Sequence, residues 1–387
     1  MVKKNMIQVI IHCKEYEKRL KNIEDLGHIK YKLPMIDAYV LEVEESELDQ
    51  IKSMEGLISI ELDTHITTQM NRVSDTIESR WAHEHGIYGQ GVGVAILDTG
   101  IGLHKDIVEG GNRVIAFEDF IDRRKDPYDD NGHGTHVAGI IGGNGYSSKG
   151  KYTGVAPACN FIVVKVLDSR GDGNISDVLA GLQWIIDHKK EYNIRVVNIS
   201  VGTASKDSLD ENSLLVQGVN AVWDSGVVVV VAAGNNGPGP MSISTPGISR
   251  KVITVGSSDD NIAVEVFGSR TKDYSGRGPT PYCIKKPDVV APGSNIISCN
   301  ISRFLNKGKN GTVKVNTSDN PMMYTVKSGT SMATPIVTGA IALLLSAYPN
   351  MTNREVKLRI RDSAVDLGMR WEKQGWGLLN VRRLLEP

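Results

Sequence analysis

The segment SGTSMATPIVTGAIALLL, residues 328–345, places a Gly-Thr-Ser turn directly before a long apolar stretch. This pattern predicts a long apolar helix that needs a sizeable core around it. Gly339 and Ala340 allow close packing, and Pro335 fits a first helical turn. Ser331 stands where the helix begins, and a serine there most often caps free backbone amides. Two further stretches favour a chemical role for Ser331.

An aspartate and a histidine also stand at the boundaries of predicted elements. VGVAILDTGI, residues 92–101, is typical of a buried strand that ends at Asp98, and open α/β sheets place their sites at that edge. DDNGHGTHVAGIIGG, residues 129–143, places His133 before a helix of small residues. A serine hydroxyl needs a base to take its proton, and the base needs a carboxylate to orient it. Asp, His and Ser in this order therefore predict nucleophilic catalysis.

The chain resembles the subtilases, the subtilisin-like serine proteases, over residues 85–385. The shared blocks are AILDTGI, NGHGTHVAGII, VVVAAGNNGPG, KPDVVAPG and SGTSMATPIVTGAIALL. The resemblance implies a triad of Asp98, His133 and Ser331, and a serine endopeptidase that forms an acyl-enzyme on Ser331. It implies a buried structural position for His136. KGKYTGVAP and KEYNIRVVNISVG are more similar to intracellular bacterial members than to secreted ones.

Strands alternate with helices through residues 70–387, which predicts a doubly wound, mainly parallel α/β sheet. Residues 227–233 form a continuous β-branched run, as expected of a central parallel strand. The chain, at 387 residues, exceeds a typical single domain, so one large domain and one smaller domain are expected.

The smaller domain is predicted at residues 1–69. Strands are expected at residues 6–12, 28–33, 36–43 and 57–62, and helices at 14–26 and 45–54. The order βαββαβ indicates a ferredoxin-like module. An unrelated accessory domain is the alternative interpretation.

The resemblance implies a specific role for this module. Subtilases commonly carry such a propeptide as an intramolecular chaperone and inhibitor, with its tail bound in the active-site cleft. The tail here is DTHITTQMN, residues 63–71, a polar segment predicted to be extended. Self-cleavage is predicted between Gln69 and Met70, with Ile66 in an apolar subsite.

Further site residues follow from the chemistry and from the resemblance. Acyl transfer builds negative charge on a carbonyl oxygen, which requires hydrogen-bond donors. Asn235, directly after the apolar run 227–233, matches the family's donor, and the Ser331 amide would be the second. A turn asparagine is the alternative. The predicted substrate-binding residues are Gly171, Asp172, Gly173, Ser200, Val201, Gly202 and Ser244.

Composition and charge limit the classes of partner and the cellular location that are expected for this protein. The net charge of −1 implies no nucleic-acid partner. The apolar run near the N-terminus is too short for a signal peptide, and no later stretch predicts a membrane span. Four scattered cysteines suit reduced thiols, although Cys283 and Cys299 could pair. A cytoplasmic protein that acts on polypeptides is predicted.

No cofactor is expected for the chemistry, and no metal ligands are predicted. Many secreted subtilases hold calcium in the loop that corresponds to residues 142–153, GGNGYSSKGKYT, but this chain lacks their ligand pattern there. A structural calcium ion is therefore left open and not predicted. The same loop lacks the spacing of a phosphate-binding loop.

Three other functions compete. An aspartic protease also uses Asp-Thr-Gly, but it needs two carboxylates, and the chain carries no second such motif. A metal hydrolase could use His133, His136, Asp129 and Asp130, but it would lack the glutamate of HExxH. A catalytically silent binding protein with the subtilase fold is the third alternative.

Overall fold

The structure is a computed structural model of the chain. It describes residues 6–14, 16–19, 23–34, 37–62, 69–202, 210–266, 268–301, 305–307, 313–315 and 323–386. The chain divides into two compact units, Met1–Thr67 and Thr68–Pro387. Each unit is described by itself.

The first unit is a four-stranded antiparallel sheet in the order β2-β3-β1-β4. Its strands are β1 (Met6–Cys13), β2 (His28–Leu33), β3 (Ala38–Glu44) and β4 (Leu57–Leu62). Alternate residues of β1 and β3 enter a core with Ile23 and Ile51, as expected for a sheet with one covered face. The ends of these four strands lie within two residues of their predicted positions.

The helices of this unit are shorter than predicted. A 3-10 turn at Tyr16–Arg19 stands within the helix predicted at 14–26, of which residues 15 and 20–22 lie outside the described residues. The helix predicted at 45–54 is a 3-10 turn, Glu45–Glu47, followed by α1 (Leu48–Lys52). Polar and charged residues fill most of both segments, and among the described residues of these segments only apolar ones, Ile23 and Ile51, are buried.

The second unit is built on seven parallel strands in the order β13-β10-β9-β8-β5-β7-β6. They are β5 (Gly93–Asp98), β6 (Val114–Asp119), β7 (Asn160–Lys165), β8 (Ile194–Ile199), β9 (Val228–Ala232), β10 (Ile253–Ser257) and β13 (Val289–Ala291). The two strands that follow β5 in the chain, β6 and β7, lie on one side of it, and β8 and all later strands of the sheet lie on the other. The boundary between these two neighbouring strands is therefore the switch point at which such sheets form their sites.

Helices lie between these strands and around them. They are α2 (Gln69–Thr76), α3 (Ser79–Glu84), α4 (Lys105–Val108), α5 (His133–Gly142), α6 (Ile175–His188), α7 (Leu214–Asp224), α8 (Thr330–Ala347), α9 (Asn353–Ser363), α10 (Trp371–Gln374) and α11 (Val381–Leu385). Gln69 and Met70 begin α2, so the extended form predicted for residues 69–71 is wrong. Residues 63–68, with Ile66, lie outside the described residues.

Short antiparallel pairs complete the second unit. They are β11 (Val264–Val266) with β12 (Ser269–Thr271), β14 (Ile296–Cys299) with β17 (Tyr324–Lys327), and β15 (Leu305–Lys307) with β16 (Val313–Val315). The hairpin of β14 and β17 delivers the chain to the start of α8. It thereby places the turn at Ser331 beside the sheet.

Helix α8 lies in the centre of the second unit. It contacts α5, β8, β9 and β10, and its residues 330–345 are all buried. Among the described residues, it is the one helix long and apolar enough to cross a membrane by length and composition. The protein itself covers it, with 89% of its apolar window buried, which is typical of a core helix.

Candidate active site

Asp98 and His133 form the first part of the site. Asp98 ends the buried strand β5, and its side chain is fully buried. Its Oδ1 accepts a hydrogen bond from His133 Nδ1 at 2.7 Å and another from the Thr99 amide at 2.8 Å. The His133 side chain is 18% exposed and borders the adjoining cavity. With Nδ1–H held by Asp98, Nε2 is the ring nitrogen that can act as a base.

Opposing effects set the pKa of His133. Burial lowers it, because the charged ring loses hydration. The charge of Asp98 and its hydrogen bond favour the protonated ring and outweigh burial, so the pKa is raised overall. Lys327 lowers the pKa and Asp129 raises it by smaller amounts.

Asp129 organises the loop that delivers His133. Its Oδ1 accepts hydrogen bonds from the amides of Asn131 and Gly132, and its Oδ2 accepts from the amide and hydroxyl of Thr135. The Thr135 amide lies in the first turn of α5, where amides have no partner within the helix. Sequence reasoning considered Asp129 only as a metal ligand. The signal for its role is an aspartate in a glycine-containing turn just before a helix.

Thr99 joins strand β5 to helix α5. Its hydroxyl donates to Asp129 Oδ1 at 2.9 Å and accepts from the Gly134 amide at 2.9 Å. A Cβ at Gly134 would lie 2.2 Å from the carbonyl oxygen of Gly100, so the close approach requires glycine. The first turn of α5 is thus held against the end of β5, which brings His133 to Asp98.

Ser331 is the second residue of α8. Gly329 is the N-cap, so the alternative that Ser331 caps the helix is wrong. Within the described part of the chain, its hydroxyl donates to the carbonyl oxygen of Ser200 at 2.9 Å and makes no hydrogen bond to His133. Ser331 and His133 nevertheless border the same cavity. Hydrogen bonds of this kind often form only once substrate is bound.

Pro335 lies inside α8. The prediction that it stands in the first turn of the helix is wrong. Because proline has no N–H, the carbonyl of Ser331, four residues earlier, receives no helical hydrogen bond. The Ser200 hydroxyl donates to that carbonyl instead, at 3.2 Å, and accepts from Asn198 Nδ2 at 2.9 Å. The end of strand β8 is therefore bonded to the turn that carries Ser331.

Asn235 is oriented by its contacts with Thr330. Its Oδ1 accepts from the Thr330 amide at 2.9 Å and from the Thr330 hydroxyl at 3.1 Å. These bonds leave the Nδ2 group without a partner among the described residues, in a side chain that borders the cavity. The Ser331 amide, in the first turn of α8, likewise has none within that part of the chain. Asn235 Nδ2 and the Ser331 amide are therefore two hydrogen-bond donors beside the Ser331 hydroxyl.

The cavity between these groups has a volume of about 530 Å³. Of the predicted substrate-binding residues, it is bordered by Gly171, Asp172, Ser200, Val201, Gly202 and Ser244. Gly173 is not among the bordering residues. A Cβ there would lie 2.3 Å from the Val166 carbonyl oxygen, so this glycine serves close packing. Ser244 Oγ accepts from Asn236 Nδ2 at 2.9 Å.

Sequence reasoning missed several residues that border the cavity. They are Asn131, Arg170, Asn236 and Lys327. Asn131 Oδ1 accepts from the His133 amide at 3.1 Å. The position of Lys327, four residues before Ser331, is a signal that could have identified it.

The four residues of the metal-hydrolase alternative have separate partners. His136 donates from Nε2 to the carbonyls of Ile296 and Thr325 at 3.1 and 3.2 Å. Asp130 pairs with the buried Lys165 at 2.8 Å, while Asp129 binds the amides of its own loop. This arrangement does not support a shared metal ion.

Two sets of residues are candidates for metal binding, namely the loop of residues 142–153 and a group of three buried side chains. His104, Asp106 and Cys299 bring ligand atoms within 4.8 Å of one another. His104 Nδ1, however, accepts from the Asp106 amide, and the two Asp106 oxygens accept from the Ser147 amide and the Tyr324 hydroxyl. Residues 142–153 contain no carboxylate. Neither set fits a metal ion well.

None of the four cysteines forms a disulfide. Cys13, Cys159 and Cys299 are buried, and Cys283 is exposed. The alternative pairing of Cys283 with Cys299 is therefore wrong for this structure.

Comparison with known proteins identifies the family. The subtilase family profile matches residues 89–377. The chain belongs to the subtilase family. Serine protease AprX of Bacillus subtilis (strain 168) is 37% identical over 346 residues, covering 86% of this chain and 75% of that protein. Subtilisin Savinase of Lederbergia lenta is 34% identical, covering 79% and 94%.

A solved structure gives the same result for the fold. The crystal structure of a cold adapted subtilisin-like serine proteinase matches with a TM-score of 0.56 and 30% identity, covering 76% of this chain and 90% of that one. The subtilisin-like α/β fold and the assignment as a serine endopeptidase are confirmed.

Proposed function

We propose that this subtilase hydrolyses peptide bonds through Ser331, His133 and Asp98, and that it is made as a self-cleaving zymogen. The observation that carries the catalytic part is the 2.7 Å bond between Asp98 and His133, at the edge of the cavity that Ser331 also borders. The charge of the buried Asp98 has no comparable use in a binding protein, which disfavours the catalytically silent alternative.

The mechanism begins with a rotation of the Ser331 side chain. Its hydroxyl leaves the Ser200 carbonyl and donates to His133 Nε2. His133 takes the proton as Ser331 Oγ attacks the scissile carbonyl, and Asp98 stabilises the imidazolium. His133 then protonates the leaving amine. Water hydrolyses the acyl-enzyme by the same steps in reverse order.

The negative charge on the carbonyl oxygen is stabilised by Asn235 Nδ2 and the Ser331 amide. Because Thr330 holds Asn235 Oδ1, the Nδ2 group is in place before the reaction and needs no reorganisation. Removing this amide is expected to reduce turnover by roughly 10²–10³, the loss that a subtilisin shows on losing its own asparagine.

Substrate is held as an added strand. Backbone groups of Gly171–Asp172 on one side and of Ser200–Gly202 on the other border the cavity and can pair with an extended peptide. Ser244 faces the backbone of Gly234, at which a Cβ would lie 2.0 Å from Ser244 Oγ, so this end of the cavity is narrow. The substrate class is polypeptide.

Residues 1–69 act as the propeptide in this proposal. The antiparallel sheet with one covered face supports an independent module that assists folding and inhibits the enzyme, with its tail as the first substrate. Cleavage between Gln69 and Met70 would require the start of α2 to unwind. A cytoplasmic location, with no nucleic acid or membrane as a partner, is part of the same proposal.

The test compares the intact mass of the wild type with that of Ser331→Ala, each before and after treatment with a fluorophosphonate. The wild type is expected to lose its N-terminal module and to gain the label on Ser331, whereas the variant remains whole and unlabelled. Ser346→Ala, at the far end of the same helix, is the control and should behave as the wild type.

Each part can fail separately. Label without cleavage would overturn the self-cleavage. Cleavage of both proteins would assign the cut to another protease. Wild type that is neither labelled nor cleaved would favour the catalytically silent alternative.

A further inference from the structure

A second cavity also borders Ser331 and His133. It has a volume of about 300 Å³ and is bordered by both residues and by Glu265, Gly268, Val326, Lys327, Ser328 and Met332. Neither of the substrate edges at residues 171–172 and 200–202 borders it. Those edges and Asn235 hold the acyl part of a substrate, so the second cavity receives the residues that leave with the amine. We name it the leaving-group cavity.

Lys327 borders both cavities. It is the last residue of β17, and its side chain is half-buried. Within the described part of the chain, its ammonium group makes no hydrogen bond or ion pair. Its charge lowers the pKa of both His133 and His136, which indicates that it lies close to the catalytic ring.

Other lysines with little exposure in this chain are paired. Lys165 binds Asp130 and the carbonyls of Thr99 and Leu167. Lys286 binds Asp288 and the Val252 carbonyl. A partly desolvated ammonium is costly unless an anion is beside it. Lys327 has no such partner among the described residues. It borders both cavities, so a bound substrate can supply the anion.

Glu265 is the competing charge in the leaving-group cavity. It is exposed and makes no ion pair with Lys327 in the described structure. Since an exposed carboxylate is well screened by water, its effect on a bound peptide is weaker than that of the half-buried ammonium. The net preference of the cavity is therefore for negative charge.

Given the catalytic roles proposed above, we propose that Lys327 binds a carboxylate on the leaving-group side of the scissile bond, so that the enzyme cleaves preferentially before acidic residues. The carboxylate belongs to an Asp or Glu side chain within the first two residues after the bond. A half-buried pair of this kind is expected to change kcat/KM on the order of tenfold.

The experiment uses internally quenched peptides with one acyl sequence and Asp, Asn or Lys as the first or second leaving-side residue. Mass spectrometry verifies that the same bond is cut in every peptide. The proteins are the mature wild type, Lys327→Met, Lys327→Glu and Lys190→Met. Lys190 is an exposed lysine before the start of strand β8. Because the active site lies at the opposite end of that strand, Lys190→Met serves as the control. Active-site titration with a fluorophosphonate corrects each rate for the folded fraction.

The wild type and Lys190→Met are expected to prefer Asp to Asn by about tenfold, less so at 0.5 M salt than at 0.05 M, because salt screens the pair. Lys327→Met should lose the preference, and Lys327→Glu should prefer Lys. Equal rates for Asp and Asn in the wild type, or a preference that survives in Lys327→Met, would overturn the inference. If the titrated wild type cut none of the peptides, the catalytic proposal would fall, and this inference with it.

Discussion

His133 and His136 lie one turn apart on the same helix, yet they face different regions of the molecule. His133 faces the cleft, where the Asp98 carboxylate holds its ring and raises its pKa. His136 faces the hairpin of β14 and β17, where its ring donates to two backbone carbonyls. Burial first, and then the charges of Lys327 and His133, lower the pKa of His136 to about 3.

The difference shows that the partner, and not the residue type or the helix, decides the chemistry. A carboxylate stabilises an imidazolium and makes a proton acceptor, whereas neutral carbonyls in a dry environment keep the ring uncharged. The first histidine of His-Gly-Thr-His is therefore suited to catalysis and the second to packing. Four changes can break or sharpen this contrast.

The largest effect is expected from removing each ring in turn. His133→Ala should lose about 10⁶-fold in kcat, as a subtilisin does on losing its base, with little change in stability. His136→Ala should keep its turnover per folded molecule but lose about 2–4 kcal/mol of unfolding free energy, because it leaves a cavity and two carbonyls without their donor. Titrated activity and denaturant unfolding measure both. A stable His136→Ala enzyme without turnover would contradict the contrast.

Asp98→Asn gives His133 a partner more similar to the carbonyls around His136. Turnover is expected to fall about 10⁴-fold. Since the carboxylate is what raises the pKa of His133, the acid limb of kcat/KM should move to lower pH. The pH profile of the variant measures this shift, with Asp187→Asn, at an exposed position of α6, as the control. An unchanged limb would show that Asp98 does not set the pKa.

The two rings should change stability with pH in opposite directions. Between pH 6.5 and about 3, His136 is protonated in the unfolded chain but not in the folded chain. In this range His136 therefore lowers the unfolding free energy by about 1.4 kcal/mol for each unit by which the pH falls. His133, with its raised pKa, stabilises the fold at low pH and loses that effect as pH rises through the folded pKa. Denaturant unfolding from pH 4 to 8 should give His136→Gln a flatter acid slope than the wild type. Identical slopes would refute the linkage.

The smallest expected effect comes from Lys327→Met. Because the charge of Lys327 lowers the pKa of His133, its loss should raise that pKa and move the acid limb of kcat/KM to higher pH. The other charges that act on this ring, Asp98 and Asp129, are unchanged in the variant. The matched control is Lys190→Met, whose profile should coincide with that of the wild type. A shift to lower pH would contradict the assignment.

Much of the fold could be predicted, because its strands are continuous apolar runs. The strand that ends at Asp98 and the run 227–233 are buried throughout. Their sequences therefore lack the alternation of polar and apolar residues that would predict a strand with one exposed face. Helix ends were predicted less well. Pro335 is predicted in the first turn of α8, whereas the helix begins five residues before it, at Thr330. The helix continues past the proline because the Ser200 hydroxyl supplies the hydrogen bond that proline cannot donate.

The residues of the candidate site likewise divide into those that the sequence predicts and those that it does not. Asp98, His133, Ser331 and Asn235 each stand at the end of an element, and such positions can be read from local patterns. Gly173, which is predicted to bind substrate, does not border the cavity, because local sequence does not distinguish a glycine at a cleft from a glycine packed on a strand. Asp129 and Lys327 were missed in their present roles, because their partners are loop amides and a cavity that only the folded chain creates.

The sequence by itself determined the residue types of the proposed reaction and their order, because motifs at the boundaries of predicted elements resemble those of the subtilases. It also determined the parallel sheet, because continuous apolar strands alternate with helices. Only the tertiary structure decided that the carbonyls of Ile296 and Thr325 bind the ring of His136. It also decided that the Ser200 hydroxyl bonds to the carbonyl of Ser331 and that Lys327 borders the cleft without a partner among the described residues. Those outcomes depend on distances between segments far apart in the chain, and the strand order and close packing of the folded protein determine such distances.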